Sequence, residues 1–350
     1  MIKEMGASDL HLAAGQQPMA RLHGDIERVE HPVLDNDYLK KMLYEIAPDM
    51  KIKVFEETGD VDFAYELPKV GRFRVNFFNQ LNGVGAVFRL IPSKILTMDE
   101  LGLPPILRSF CKLEKGLVLV TGPTGSGKST TLASMIDNIN KTRKNHIITI
   151  EDPIEFVHKP ILCSINHREV GTHTRSFSAA LRGSLREDPD IILVGEMRDL
   201  ETISLAIEAA STGHLVFGTL HTQSASKTVD RMIDVFPPEE QEKIRVSISE
   251  ALKGVVAQAL FKKLGGGRVA ALEILACNTA VANLIREGKT FQITSVMQTQ
   301  KKLGMRTLDD AILELLNARL ITPEVAYEKA ISKENFVKFI KKGPQDDLFD

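Results

Sequence analysis

The stretch GLVLVTGPTGSGKSTTL, residues 116–132, decides the fold. GLVLV reads as a buried strand, and KSTTLASMIDNIN, from Lys128 onward, repeats its apolar residues at helical spacing. Between them lie Gly122, four residues, then Gly127, Lys128 and Ser129. A glycine-rich loop between a strand and a helix is the context that makes this spacing a phosphate-binding loop. Its glycines let backbone amides curl around a phosphate, and the helix start adds partial positive charge. Lys128 can then reach the β- and γ-phosphates while Ser129 offers its hydroxyl to Mg²⁺. The nucleotide-contacting set is therefore Gly122, Pro123, Thr124, Gly125, Ser126, Gly127, Lys128, Ser129 and Thr130, with ATP or ADP and Mg²⁺ as ligands.

Working outward, the apolar runs GLVLV, HIITI, DIILVG, HLVFGTL and VAALEIL alternate with helical segments such as LETISLAIEAAS. Near-continuous apolar strands between helices imply an α/β fold with a parallel sheet covered on both faces. Ligands in such sheets collect beyond the carboxyl ends of the strands, so polar residues there are the candidates. DIILVGEMRD ends on Gly195 and Glu196, one step later than the aspartate of the commoner pattern, and this carboxylate would steady Mg²⁺. HIITIEDPIEFVH places Glu151, Asp152 and Glu155 after another strand, where a carboxylate can polarise an attacking water. Glu151, directly at the strand end, is the first choice for general base and Glu155 the second. STGHLVFGTLHT brackets a strand with His214 and His221. A histidine flanking a buried strand is often structural, but Thr219 and His221 share the carboxyl end with Glu196, which suits His221 to sensing a γ-phosphate.

At 350 residues the chain exceeds one usual core. Residues 1–92 are expected to form an α+β N-terminal domain, with a turn at Asn82-Gly83 joining two strands. Residues 93–103, within the proline-rich PSKILTMDELGLPPIL, are expected as a linker, 104–277 as the ATPase core, and 278–350 as a helical region with an acidic tail, QDDLFD. Thr322 and Pro323 are placed to cap and start a helix. A formal charge of −2 gives no global basic field, so no nucleic-acid partner is expected. Cys111, Cys163 and Cys277 are too dispersed for a disulfide scaffold or a CxxC zinc site, and a reducing cytoplasm fits. No signal-peptide pattern and no apolar run of about eighteen residues is legible, so any membrane contact is expected through a partner.

The four elements GPTGSGKST, ITIEDPIEFVH, LVGEMRD and STGHLVFGTLHT resemble, in order, the Walker A, Asp-box, Walker B and His-box of the secretion ATPase superfamily. Within it the chain looks most like the type IV pilus retraction ATPases, the PilT family, and the likeness covers nearly all of it, from GASDLHL onward. The resemblance implies a homohexameric motor with an N-terminal PAS-like domain and a RecA-like ATPase domain, working peripherally at the cytoplasmic side of the inner membrane against a platform protein. It also implies that Lys128 and Ser129 bind nucleotide and magnesium, Glu151 or Glu155 is the catalytic carboxylate, Glu196 the Walker B acid, and His221 part of the His-box. The related assembly and type II secretion ATPases carry a four-cysteine zinc element after the His-box. Here that place reads QALFKKLGGGRVAALEIL, so no zinc is expected. The family's retraction signature appears as AVANLIRE, with Ala282 where arginine is usual.

In GRFRVNFFN, residues 71–79, alternation puts Arg72, Arg74 and Asn76 on one strand face and Phe73, Val75 and Phe77 on the other, while the next strand carries Arg89. Arginine fingers commonly come from another subunit. In a ring, Arg74 and Arg89, with Arg72 in reserve, are expected to complete a neighbour's site, as the resemblance also implies. The rival readings are an accessory retraction paralogue, a related secretion or DNA-translocating hexamer, a small-molecule kinase, and a nucleotide-dependent switch. A kinase needs a lid and an acceptor pocket, and neither is legible.

Overall fold

A computed structural model describes residues 5–22, 25–68, 70–91 and 94–340. They fall into two compact units: Met1–Ile95 with Pro153–Val157, and Leu96–Asp152 with His158–Asp350.

The first unit is α+β. Strands β1 (Asp9–Ala13), β2 (Met19–Leu22), β3 (Asp25–Arg28), β4 (Asp60–Leu67), β5 (Gly71–Gln80) and β6 (Gly83–Ile91) form an antiparallel sheet in the order β3-β2-β1-β6-β5-β4. Two helices accompany it, α1 (Asn36–Ile46), whose first turn is capped by Asp35, and α2 (Asp49–Thr58). The alternation in β5 holds: Phe73, Val75 and Phe77 are buried and Arg74 is exposed. Phe77 meets Phe55 and Phe63 edge to face, with centroids 5.9 and 5.0 Å apart, the aromatic geometry a packed core favours. The hairpin closes at the pair Gln80–Gly83, so its loop is Leu81–Asn82, one residue before the expected turn. Gly83 itself starts the second strand, at a φ of 125°.

The second unit carries a seven-stranded sheet built from β7 (Gly116–Thr121), β8 (His146–Glu151), β9 (Ser164–Glu169), β10 (Ile191–Val194), β11 (Leu215–Leu220), β12 (Leu252–Lys262) and β13 (Arg268–Ala276), in the order β13-β12-β7-β11-β10-β8-β9. All neighbours pair in parallel except β12 and β13, which form an antiparallel hairpin. The sheet is therefore mixed, and it contains two strands beyond the five apolar runs. SINHRE of β9 is a polar edge strand without an apolar run, and β12 includes a glutamine and two lysines that break its pattern.

Burial on both faces explains why the central strands lack polar alternation. In β7, Leu117 and Leu119 enter one core cluster while Val118 and Val120 enter another. In β10, Ile192 and Val194 take the first cluster and Ile191 and Leu193 the second. Met98 and Leu103, expected in the linker, are buried in that second cluster, so the unit begins at Leu96. Late in the chain, Thr322 accepts from the Val325 N–H to cap Pro323–Lys329, as its sequence predicts. The acidic tail lies outside the described residues. Among the described residues no helix is long and apolar enough to cross a membrane.

Candidate active site

Because β12, β7, β11, β10, β8 and β9 run parallel, their carboxyl ends share one sheet edge. β7 delivers the phosphate-binding loop there, and the helix Lys128–Thr142 leaves it with left-handed Gly127 as its N-cap. Pro123, Thr124 and Gly125 are exposed, Gly122 and Ser126 are buried, and Gly127, Lys128, Ser129 and Thr130 are half-buried. The Lys128 ammonium donates to the carbonyls of Gly122 at 2.8 Å and Pro123 at 3.2 Å, which folds it over the loop it would serve.

Backbone bonds carry the neighbouring strand ends into register with that loop. Gly122 N donates to Leu220 O at 3.3 Å, Gly195 N to Ile150 O at 2.7 Å, and Met197 N to Thr219 O at 3.0 Å. The Thr219 hydroxyl adds a bond to Gly195 O at 2.5 Å. Thus Glu151, Glu196 and His221, distant in sequence, stand at consecutive strand ends of the edge that bears the phosphate loop.

His221 Nε2 donates to Glu196 Oε1 at 2.6 Å, and Arg198 pairs with the same oxygen. Burial alone would push the Glu196 carboxyl up. The hydrogen bonds and charges of Arg198 and His221 outweigh it and hold the group below the usual glutamate range. A cavity of about 510 Å³ opens here, lined by Glu196, Met197, Arg198, Leu220, His221, Thr222 and Arg231. Arg198 is a residue that sequence reasoning passed over, although it sits two places after Glu196 in the quoted motif.

Glu151 ends β8 and is buried. His167 of β9 lies beside it: its Nδ1 is 2.8 Å from Thr149 Oγ1 and 3.9 Å from Glu151 Oε1. The His158 N–H donates to His167 Nε2 at 3.1 Å, which holds the ring beside Thr149 and Glu151. No periodic signal marks His167, because β9 is short and polar. His214, at the opposite end of β11 from His221, donates from Nδ1 to Ala209 O at 3.0 Å and is structural. Glu155, exposed, belongs with the first unit through Pro153–Val157.

The arginines also belong to the first unit. Arg74 and Arg89 stand directly opposite each other across β5 and β6, a like-charge pairing that costs stability unless offset. Arg89 Nε donates to Asp9 Oδ1 at 2.7 Å, and Arg74 Nε is 3.7 Å from Asp62 Oδ1. Asp9 is buried, which would raise its carboxyl, but Ser8 and Arg89 bring it below the ordinary aspartate value. Arg72, half-buried, faces Glu66 across β4 and β5.

His158, just after the Asp-box, gives a pH prediction. Burial, with the His167 ring stacked 5.9 Å away, lowers it from 6.5 to about 4, and its Nδ1 has no hydrogen-bond partner among the described residues. The unfolded chain thus binds this proton more tightly than the folded one between pH 6.5 and 4. Stability is full above that window and falls through it on acidification, by roughly 3 kcal/mol from this group. Thermal melts from pH 7.5 to 4 should show a smaller acid loss in His158→Phe than in the unaltered chain, and equal losses would refute the assignment.

No group of three or more His, Cys, Asp or Glu residues among those described is placed to hold a metal ion. The Ser129 hydroxyl and the Glu196 carboxylate are hard oxygen donors of the kind Mg²⁺ takes alongside substrate phosphates. His221 and Arg198 both engage Glu196 Oε1.

Residues 2–266 match the family described as Type II/IV secretion system protein. Over 333 residues, 95% of this chain and 97% of the relative, the sequence is 57% identical to the Pseudomonas aeruginosa "Type IV pilus retractation ATPase PilT". It is 53% identical over 319 residues, 91% and 85% of the two chains, to a Neisseria gonorrhoeae "Twitching motility protein". A crystal structure of the pilus retraction motor PilT with bound ADP superposes with a TM-score of 0.89 at 48% identity, covering 95% of this chain and 96% of that one. With the glycine-rich loop, Glu196 and His221 on one sheet edge, the chain belongs to the type II/IV secretion ATPases and, among them, to the type IV pilus retraction ATPases.

Proposed function

We propose that this chain is the ATP-driven motor that retracts type IV pili, working as a homohexamer on an inner-membrane platform protein from the cytoplasmic side. The observation that carries the reading is the meeting of the Lys128 loop with Glu151, Glu196 and His221 at one sheet edge, which suits hydrolysis by water. Residues 122–130 bind the nucleotide, and Ser129 and Glu196 hold Mg²⁺, which when bound neutralises charge on the phosphates. Glu151 is the first candidate for general base, with Glu155 second. His221, tied to Glu196, reports whether a γ-phosphate is present. The domain assignment we propose is a PAS-like 1–92, a RecA-like core that runs to 277 from Leu96 rather than from 104, and a helical region at 278–350.

Arg74 and Arg89 act on a neighbouring chain's nucleotide, where a fixed charge is worth most as negative charge builds on the γ-phosphate. The Asp9 and Asp62 pairings orient them rather than neutralise the need for them. Deletion followed by complementation tests the biological role: loss of this gene should leave excess surface pili and no twitching. Absence of pili would mean assembly instead. Hydrolysis stimulated by DNA or RNA with a steep salt dependence would favour the nucleic-acid translocase reading.

A further inference from the structure

We propose that Gln258 is a positioning residue that braces the phosphate-binding loop from strand β12, and so sets the loop's affinity for the nucleotide's phosphates. The proposal rests on the nucleotide-binding reading of that loop. Gln258 is buried, and both ends of its amide are used on the loop and its helix. Its Nε2 donates to Ser126 O at 2.6 Å, and its Oε1 accepts from the Thr131 hydroxyl at 2.8 Å. The amide orientation is thereby determined, since only the NH₂ can serve a carbonyl and only the oxygen can serve a donor hydroxyl that has no other acceptor here.

The loop is fitted to this brace. A Cβ on Gly127 would stand 2.8 Å from Gln258 Nε2, and one on Gly122 would stand 2.3 Å from the Gln258 carbonyl oxygen. Both glycines also hold positive φ, at 88° and 142°. Ser126 is buried, yet its own hydroxyl has no partner among the described residues, so its side chain does nothing to hold the turn. Its N–H reaches Pro123 O at 3.2 Å within the loop, and its carbonyl is held from outside by Gln258. Fixing that carbonyl outward keeps the following amides, including those of Gly127 and Lys128, turned toward where a phosphate sits. A loop that pre-orders its donors does not have to spend binding energy ordering them, which raises affinity.

The geometry separates binding from chemistry, because Gln258 touches the loop rather than the reacting phosphate. Gln258→Met keeps the volume and removes both hydrogen bonds. It is expected to raise the ATP KM and the ADP Kd about tenfold, the equivalent of losing one to two net hydrogen bonds, with kcat within about threefold. Gln258→Glu offers a rescue that a merely structural role would not produce. A carboxyl buried there is pushed up by desolvation, and once protonated it supplies an O–H for Ser126 O and a C=O for the Thr131 hydroxyl. Its ADP affinity, taken relative to the unaltered chain at each pH, should recover at least about fivefold from pH 8 to pH 5.5, while Gln258→Met shows no recovery.

Titration calorimetry with ADP and steady-state ATP hydrolysis on the full-length protein make the test. A Met variant with unchanged Kd and KM overturns the brace, as does one whose melting temperature falls while both constants hold. Absence of acid recovery in the Glu variant also overturns it. If the unaltered chain itself fails to bind ADP, the nucleotide reading falls and takes the brace with it.

Discussion

Chains carrying Lys128→Ala are expected to lose ATP turnover by about 10²–10³-fold and to bind ADP far more weakly, because the ammonium is the loop's one fixed full charge on the phosphates. Glu196→Ala should lower turnover by a similar factor of about 10²–10³ with a smaller effect on ADP binding, since its proposed role is at Mg²⁺ and His221 rather than at the nucleotide directly. Glu151→Gln separates roles further. It keeps the shape at the end of β8 and removes the base, so hydrolysis should fall by about 10²–10⁴-fold while ADP affinity stays within threefold. The same change at Glu155 should be mild if Glu151 is the base. Full turnover in both Lys128→Ala and Glu196→Ala would sink the site assignment, and a severe loss at Glu155 with none at Glu151 would exchange the two carboxylates.

The second large effect belongs to the opposed arginines of β5 and β6. An arginine that meets the γ-phosphate in the transition state is worth about 10³-fold or more in turnover, so Arg74→Ala or Arg89→Ala should lose nearly all hydrolysis although both lie in the first unit. If they act across subunits, mixing Arg74→Ala chains with Lys128→Ala chains restores some sites, because a ring then pairs intact loops with intact arginines. Hydrolysis above either parent is the expected result. Mixed rings that never exceed either parent would remove the support for action in trans. Loss on Arg89→Ala with unchanged Arg74→Ala would name the single finger, with Asp9 as its positioning partner.

The α/β character of the second unit was legible because two-faced burial leaves a direct trace, an apolar run such as IILV between helices. β9 and β12 left no such trace. SINHRE sits at the sheet edge, where polar side chains cost nothing, and Gln258 interrupts β12 because its amide bonds the phosphate loop. The turn after β5 was misplaced by one residue for a related reason: the Asn82-Gly83 pair is a good turn signal, but the register with β6 put Gly83 in the strand.

The sequence by itself determined the phosphate loop, since strand, glycines, lysine and helix are contiguous in the chain. It also determined which strand ends carry carboxylates, because those follow their apolar runs directly. Only the tertiary structure decided what these groups touch. Glu196 meets His221 25 residues on, and Gln258 reaches Ser126 across 132 residues. The physical reason is that local periodicity reports whether a side chain is buried, whereas a hydrogen bond between distant strands depends on sheet order and register, which no local pattern encodes.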